Sequence, residues 1–142
     1  MLRGFSTVNY WADDVAAARD WYAKALDIAP YFERPDADNP AYVEFRIGDY
    51  QDELGLINNR YAPADTPTGP GGVVVYWHVD DVPAALEKLV SLGAREHEAP
   101  VDREAGWVTA SVIDPFGNII GLMYSPHYVK VLAHTGGAAG VS

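Results

Sequence analysis

The stretch DDVAAA at residues 13–18 decides the fold, because it recurs as DDVPAA at residues 80–85. A second pair, LGLI at residues 54–57 and IGLM at residues 120–123, follows in the same order. The two pairs are offset by 67 and 66 residues, respectively. Self-similarity at one offset is the signature of a duplicated unit. The sequence therefore predicts two copies of one module, each about half of the 142 residues.

Each copy is predicted to contain one strand, one helix and three further strands. Residues 5–11 and 73–79 show the patterns of a first strand. In the first helix an apolar stripe runs from Val15 to Leu26 and includes Trp21 and Tyr22, with Asp13 or Asp14 as the N-cap. In the second, Asp81 is the predicted cap, Pro83 lies in the first turn and Gly93 ends the helix. The remaining strands are predicted at residues 29–34, 41–48, 52–58, 94–100, 106–113 and 118–124.

The domain organisation follows from this repeat. Module 1 covers about residues 5–59 and module 2 about residues 73–125, within a single domain of residues 1–142. The segment 60–72 between them carries three Pro and three Gly, a composition typical of a linker. Residues 126–142 are predicted to form a C-terminal tail, with a frayed Gly/Ala-rich end from residue 135.

Strand alternation sorts the side chains into two layers. Val43, Phe45 and Ile47 are predicted to pack beneath the helices, as are Val73, Val75, Trp77 and Val79 of the second module. The opposite face is expected to be concave and to bind a ligand, because it combines aromatic and polar groups. The predicted ligand-binding residues on it are Thr7, Asn9, Tyr42, Arg46, Tyr76, Trp107, Thr109 and Met123.

Two residues of this face are candidate catalytic groups, His78 and Glu44. His78 can change its protonation near neutral pH, and Glu44 could act with it in acid–base chemistry. Each also has a structural interpretation. Glu44 can form a half-exposed ion pair with Arg46, which is worth little energy, and His78 can be an ordinary sheet histidine with satisfied hydrogen bonds.

Composition restricts the classes of partner. Ten Lys and Arg against twenty Asp and Glu give a formal charge of −10, which disfavours binding to nucleic-acid phosphates. The chain has no cysteine, so disulfide and thiolate chemistry are excluded. No apolar run approaches the ~18 residues of a membrane span, and the N-terminal residues lack the apolar core of a signal peptide. These features predict a cytoplasmic protein that binds neither nucleic acid nor membrane.

The motifs DDVAAARDWYAKALD (13–27), DDVPAALEKLVSLGA (80–94) and DPFGNIIGLMY (114–124) resemble the vicinal oxygen chelate superfamily. It includes glyoxalase I, extradiol dioxygenases and bleomycin resistance proteins. The resemblance covers about residues 5–125. It implies an α+β fold in which two βαβββ modules form an incomplete mixed β-barrel around a cleft, with helices on the outer face. It also implies a homodimer.

In metal-using members of the superfamily, ligands come from the first and last strands of each module. The resemblance carries these positions over to Thr7, Gly55, Val74 and Gly121. Two glycines and a valine offer no side-chain ligand, and a lone threonine hydroxyl is a poor one. A register two residues away offers Asn9, Glu53 and Tyr76, which is still no convincing set.

The sequence therefore predicts no metal and no cofactor, and leaves two functions open. The first is a metal-independent binding protein of the glyoxalase/bleomycin-resistance type that holds a drug or metabolite as its small-molecule ligand. The second is an enzyme of the same superfamily, of lyase, isomerase or dioxygenase type. Such an enzyme would use His78 and Glu44, or a rearranged metal site.

Overall fold

The computed structural model describes residues 1–135, which divide into two compact units, residues 1–66 and residues 67–135. Each unit holds one predicted module. The boundary falls inside the predicted linker, 60–72. The frayed end was predicted for residues 135–142, of which all but Thr135 lie outside the described residues.

The first unit is a four-stranded mixed sheet with one helix. Its elements are β1 (Thr7–Ala12), α1 (Val15–Leu26), β2 (Phe32–Arg34), β3 (Tyr42–Ile47) and β4 (Asp52–Asn58). The strand order is β1-β4-β3-β2, with β1 parallel to β4 and the other pairs antiparallel. The Asp14 side chain caps α1 by accepting a hydrogen bond from the Ala17 N–H at 3.0 Å. The helix ends at Asp27, which adopts the left-handed conformation (φ 56°).

The second unit repeats this arrangement and adds a helix. Its elements are β5 (Val75–His78), α2 (Val82–Ser91), β6 (Arg95–Asp102), β7 (Val108–Ile113), β8 (Ile119–Tyr124) and α3 (Pro126–Thr135). The order β5-β8-β7-β6 matches that of the first sheet, with β5 parallel to β8. Asp81 caps α2 through the Ala84 N–H at 3.0 Å, as the sequence predicts. The predicted α+β class and the two βαβββ modules are confirmed, because each module forms a four-stranded sheet with the same strand order. Neither sheet closes into a barrel.

The helices cover one face of each sheet. Helix α1 packs on β3 and β4, and α2 packs on β6, β7 and β8. In the first unit the core contains the predicted Val43 and Phe45, both fully buried. On α1 the deeply buried aromatic residue is Tyr22, at 2% exposure, whereas Trp21 is half-buried and meets the Tyr22 ring edge-on. In the second unit the core is formed mainly by Val82, Leu89, Ala94, Ala110, Val112, Ile113, Ile120 and Leu122.

One prediction about the second unit is wrong. Val73 was expected beneath a helix but is 84% exposed, because β5 begins only at Val75, where pairing with Ile120 of β8 starts. Within the predicted C-terminal tail, residues 126–135 form helix α3, which the sequence patterns did not lead us to predict. Among residues 1–135 no helix combines the length and apolar character that crossing a membrane requires.

Candidate functional site

The polar face of the first sheet brings together most of the residues predicted for module 1. Asn9 of β1 and Glu44 of β3 both lie opposite Gly55 of β4, while Thr7 and Arg46 both lie opposite Glu53. Residues directly opposite each other on neighbouring strands share a face. Thr7, Asn9, Tyr42, Glu44, Arg46 and Glu53 therefore form one surface, which we call the first polar face.

Arg46 is the centre of an ion-pair network on this face. Its Nη2 lies 3.2 Å from Glu44 Oε2 and 3.2 Å from Glu53 Oε1, and its Nε donates to Glu44 Oε2 at 3.2 Å. The guanidinium also lies over the Tyr31 ring, 4.3 Å from the ring centroid. Arg46 is therefore neutralised by two carboxylates, and the three charged groups together carry one net negative charge. The predicted ion pair between Glu44 and Arg46 exists, and it is part of a larger network.

Tyr42 holds the other oxygen of Glu44. Its hydroxyl donates a hydrogen bond to Glu44 Oε1 at 2.9 Å. Burial raises the pKa of Tyr42 to about 12, with the hydrogen bond to Glu44 and the charges of Glu44 and Glu53 acting in the same direction. Each of these causes disfavours the phenolate. Tyr42 is thus a neutral hydrogen-bond donor that fixes the orientation of Glu44.

Because Gly55 has no side chain, the side chains of Asn9 and Tyr42 can occupy the space beside it. A Cβ atom at this position would overlap the Asn9 carboxamide oxygen and would lie 2.8 Å from Cε1 of Tyr42. Contacts that close do not occur between real side chains, so either the glycine stays or the neighbours move. The floor of the first polar face is therefore built from Asn9 and Tyr42 lying over a glycine.

The second sheet repeats this construction with different chemistry. Tyr76 of β5 lies opposite Gly121 of β8, and a Cβ at Gly121 would be 2.7 Å from Cδ1 of the Tyr76 ring. His78 and Thr109 both lie opposite Met123. Tyr76, His78, Thr109 and Met123 thus share the corresponding face of the second unit. Trp107 is half-buried and immediately precedes β7.

His78 is engaged by the protein on three sides. Its Nδ1 accepts a hydrogen bond from the Ser125 N–H at 3.1 Å, and its ring stacks on Tyr128 at 4.3 Å between centroids and 10° between planes. Its Nε2 lies 3.6 Å from Asp80, and the side chain is 11% exposed. Glu44, its predicted catalytic partner, belongs to the other unit. The contacts of His78 are those of a group that positions helix α3.

Sequence reasoning missed the residues that organise α3. The Ser125 hydroxyl accepts from the Tyr128 N–H at 3.1 Å and caps the helix. The signal was present, because serine is a preferred N-cap and Pro126 after it suits the first helical position. Tyr128, Val131 and Leu132 also follow helical spacing. Glu53 and Tyr31, which complete the Arg46 network, were likewise not assigned to the site.

The residues present do not fit the metal centre implied by the superfamily resemblance. Two of the four carried-over positions are Gly55 and Gly121, and the space beside each is occupied by a neighbouring side chain. Between residues 1 and 135 no group of three or more His, Asp or Glu side chains is arranged to hold a metal ion.

A family model matches residues 4–122, across both units, and describes the Glyoxalase/Bleomycin resistance protein/Dioxygenase superfamily. The chain belongs to this superfamily. The resemblance carried by the repeated motifs is thus confirmed. The comparison with curated proteins finds no relative that matches the chain.

Several solved structures are similar to this chain in fold. A glyoxalase-related enzyme from Fulvimarina pelagi is 19% identical, with a TM-score of 0.70. The match covers 88% of this chain and 90% of that enzyme's chain. Lactoylglutathione lyase from Agrobacterium tumefaciens is 18% identical, with a TM-score of 0.66 and coverage of 90% and 98%, respectively. TioX from Micromonospora sp. ML1 is 17% identical, with a TM-score of 0.66 and coverage of 85% and 98%. At these identities the likeness concerns the fold alone.

Proposed function

We propose that this superfamily member is a small-molecule binding protein of the glyoxalase/bleomycin-resistance type, which holds a drug or metabolite without a metal ion. The observation that carries the proposal is that neighbouring side chains occupy the space beside Gly55 and Gly121. Asn9 and Tyr42 occupy the space at Gly55, and Tyr76 occupies the space at Gly121. A protein that relied on a metal there would need ligating side chains at these positions.

The first polar face supports recognition of a ligand by hydrogen bonds. Asn9 is exposed, and within the described part of the chain its carboxamide makes no hydrogen bond to the protein. It therefore offers a donor and an acceptor to a ligand. Arg46 is already held by Glu44 and Glu53, so this face does not present a free positive charge. A ligand that donates hydrogen bonds suits the face better than an anion does.

The alternative of an enzyme that uses His78 and Glu44 has less support. A general base must reach the proton that it removes. The Nδ1 of His78 already accepts from Ser125, and Glu44 accepts from both Tyr42 and Arg46. Both groups are therefore engaged in contacts within their own unit. The roles of Thr7, Asn9, Tyr42, Arg46, Tyr76, Trp107, Thr109 and Met123 in binding remain part of this proposal.

A ligand screen tests the function. A ligand that binds only the folded state raises its apparent stability by mass action, so antibiotics and metabolites are screened for an increase in Tm. Each hit is then titrated into the protein, and binding is followed by quenching of tryptophan fluorescence. The ligand is recovered afterwards, and its mass is measured by mass spectrometry. We expect saturable binding with an unchanged ligand mass. A mass change that depends on active protein would show an enzyme instead.

We also propose that the chain forms a homodimer in the cytoplasm. Each open sheet ends in edge strands, β1 and β2 in the first unit and β5 and β6 in the second, and such edges favour coverage by a partner. A chain without cysteine suits a reducing compartment. Light scattering at micromolar concentration should give twice the 15.5 kDa monomer mass, and a monomer mass would contradict the dimer. Fractionation of the producing cells tests the location.

A further inference from the structure

The ring of Tyr76 lies against Gly121 of the neighbouring strand β8. A Cβ at Gly121 would be 2.7 Å from Cδ1 and 2.9 Å from Cγ of this ring, so the ring passes directly over the glycine. Tyr76 and Gly121 are paired residues of β5 and β8. The part of the ring nearest the backbone of β5 is thereby packed against β8.

The rest of the Tyr76 side chain is accessible from solution. Tyr76 is 43% exposed. Within residues 1–135 its hydroxyl has no hydrogen-bond partner and its ring has no aromatic or cationic neighbour. Tyr42 differs in this respect, since it also lies over a glycine but donates its hydroxyl proton to Glu44. Tyr76 thus presents an exposed aromatic ring on which no aromatic or cationic group of residues 1–135 is stacked.

Comparison with Asn9, the equivalent residue of the first unit, indicates that Tyr76 does more than occupy the space beside its glycine. Asn9 lies over Gly55 as Tyr76 lies over Gly121, and within the described residues its carboxamide is likewise unpaired. An aromatic residue opposite a glycine can simply cover the exposed backbone. That need is the same in both units, yet one module uses an amide and the other a phenol.

We propose that Tyr76 is the stacking surface for a planar aromatic cation, which defines the chemical class of the ligand. This inference rests on the proposed function, namely that the chain binds a small molecule. The face of a phenol ring is electron-rich and attracts cations and electron-poor rings. The formal charge of −10 favours the approach of a cation over an anion. Met123 and Thr109, both half-buried, lie on the same face of the second sheet as Tyr76.

The probe for this inference is proflavine, a planar aromatic cation, titrated by fluorescence polarisation into the full chain at 0.15 M salt. We expect saturable binding that Tyr76→Phe preserves and that Tyr76→Leu weakens about tenfold, because stacking on the ring is lost. Tyr61→Leu is the matched control, since Tyr61 is an exposed tyrosine of the other unit and its replacement should leave the affinity unchanged. The planar anion 2-naphthalenesulfonate should bind more weakly than proflavine.

Thermal unfolding of each variant separates stacking from a purely structural role. If the ring only covers Gly121, Tyr76→Leu lowers Tm while proflavine binds as before, and the inference is overturned. Absence of saturable proflavine binding to the wild-type chain overturns it as well. If a ligand from the screen binds Tyr76→Leu as tightly as wild type, the stacking role of Tyr76 is overturned, while the proposed function is unaffected.

Discussion

The Nδ1 atom of His78 accepts a hydrogen bond from the backbone N–H of Ser125 at 3.1 Å, which ties the end of β5 to the start of α3. The same serine caps α3 through its hydroxyl, and the imidazole stacks on Tyr128 in the first turn of that helix. While the bond exists, Nδ1 carries no proton, so the histidine is held in the tautomer with hydrogen on Nε2. His78 is therefore tied to the start of α3 by a hydrogen bond and by ring stacking.

Replacement of His78 should reduce stability rather than chemistry. We expect His78→Ala to lower the free energy of unfolding by about 2 kcal/mol, because it removes the ring stacking and leaves the Ser125 N–H without a partner. His78→Asn keeps an acceptor near the Nδ1 position and should lose less. Urea denaturation followed by circular dichroism measures both. A variant with wild-type stability but without ligand turnover would restore the catalytic interpretation.

The cap at Ser125 should matter independently of the histidine. Ser125→Ala removes the acceptor of the Tyr128 N–H, and loss of such a cap costs about 1 kcal/mol. Helix content from far-ultraviolet circular dichroism should fall together with stability. Ser91→Ala is a suitable control, because the Ser91 hydroxyl bonds only to the Lys88 carbonyl at the end of α2. Equal effects of the two substitutions would contradict the capping role.

Local signals in the sequence were enough to predict the modules but not the contacts between strands. Asp14 and Asp81 cap their helices as predicted, because capping depends on the next three residues alone. Strand alternation likewise placed Tyr42 and Arg46 on one face. The pairing of Arg46 with Glu53 depends on the register of β3 against β4, which no local pattern determines. The position of His78 depends in the same way on α3, which the sequence analysis overlooked.

Gly55 should not tolerate a side chain. We expect Gly55→Ala to destabilise the chain by about 1–3 kcal/mol, because the new methyl group overlaps Asn9 and crowds Tyr42. Gly71→Ala is the matched control, since a Cβ there meets no atom within 4 Å. In an Asn9→Ala background the loss should shrink, and a double-mutant cycle of unfolding free energies measures this coupling. Additive losses would contradict the packing of Asn9 over the glycine.

The same filled positions predict that the purified protein holds no stoichiometric transition metal. The reason is the lack of imidazole and carboxylate ligands at Thr7, Gly55, Val74 and Gly121, together with the occupied space beside both glycines. Elemental analysis after removal of any affinity tag is the measurement. One Zn, Ni, Mn or Fe per chain that survives dialysis would contradict this prediction and the metal-independent function with it.

Tyr42 should ionise at a higher pH than an ordinary tyrosine, and the free energy of unfolding should change with its ionisation. Its pKa is raised to about 12 in the folded chain, mainly by burial and then by its hydrogen bond to Glu44, against about 10 in an unfolded chain. Because the raised value favours the protonated phenol, its contribution to stability is fully present below pH ~10 and is lost as the pH rises through 12. Tyr42→Phe should therefore lose less stability between pH 10 and 12 than wild type does.

The ionisation itself can be read from absorbance at 295 nm. The titration of wild type minus that of Tyr42→Phe isolates one phenol among the nine tyrosines. We expect this difference to rise near pH 12, while circular dichroism at each point confirms that both chains are folded. A step near pH 10 in the folded chain would show that the Tyr42 hydroxyl is solvated and not bound to Glu44. The orientation of Glu44, and with it the arrangement of the first polar face, would then lose its support.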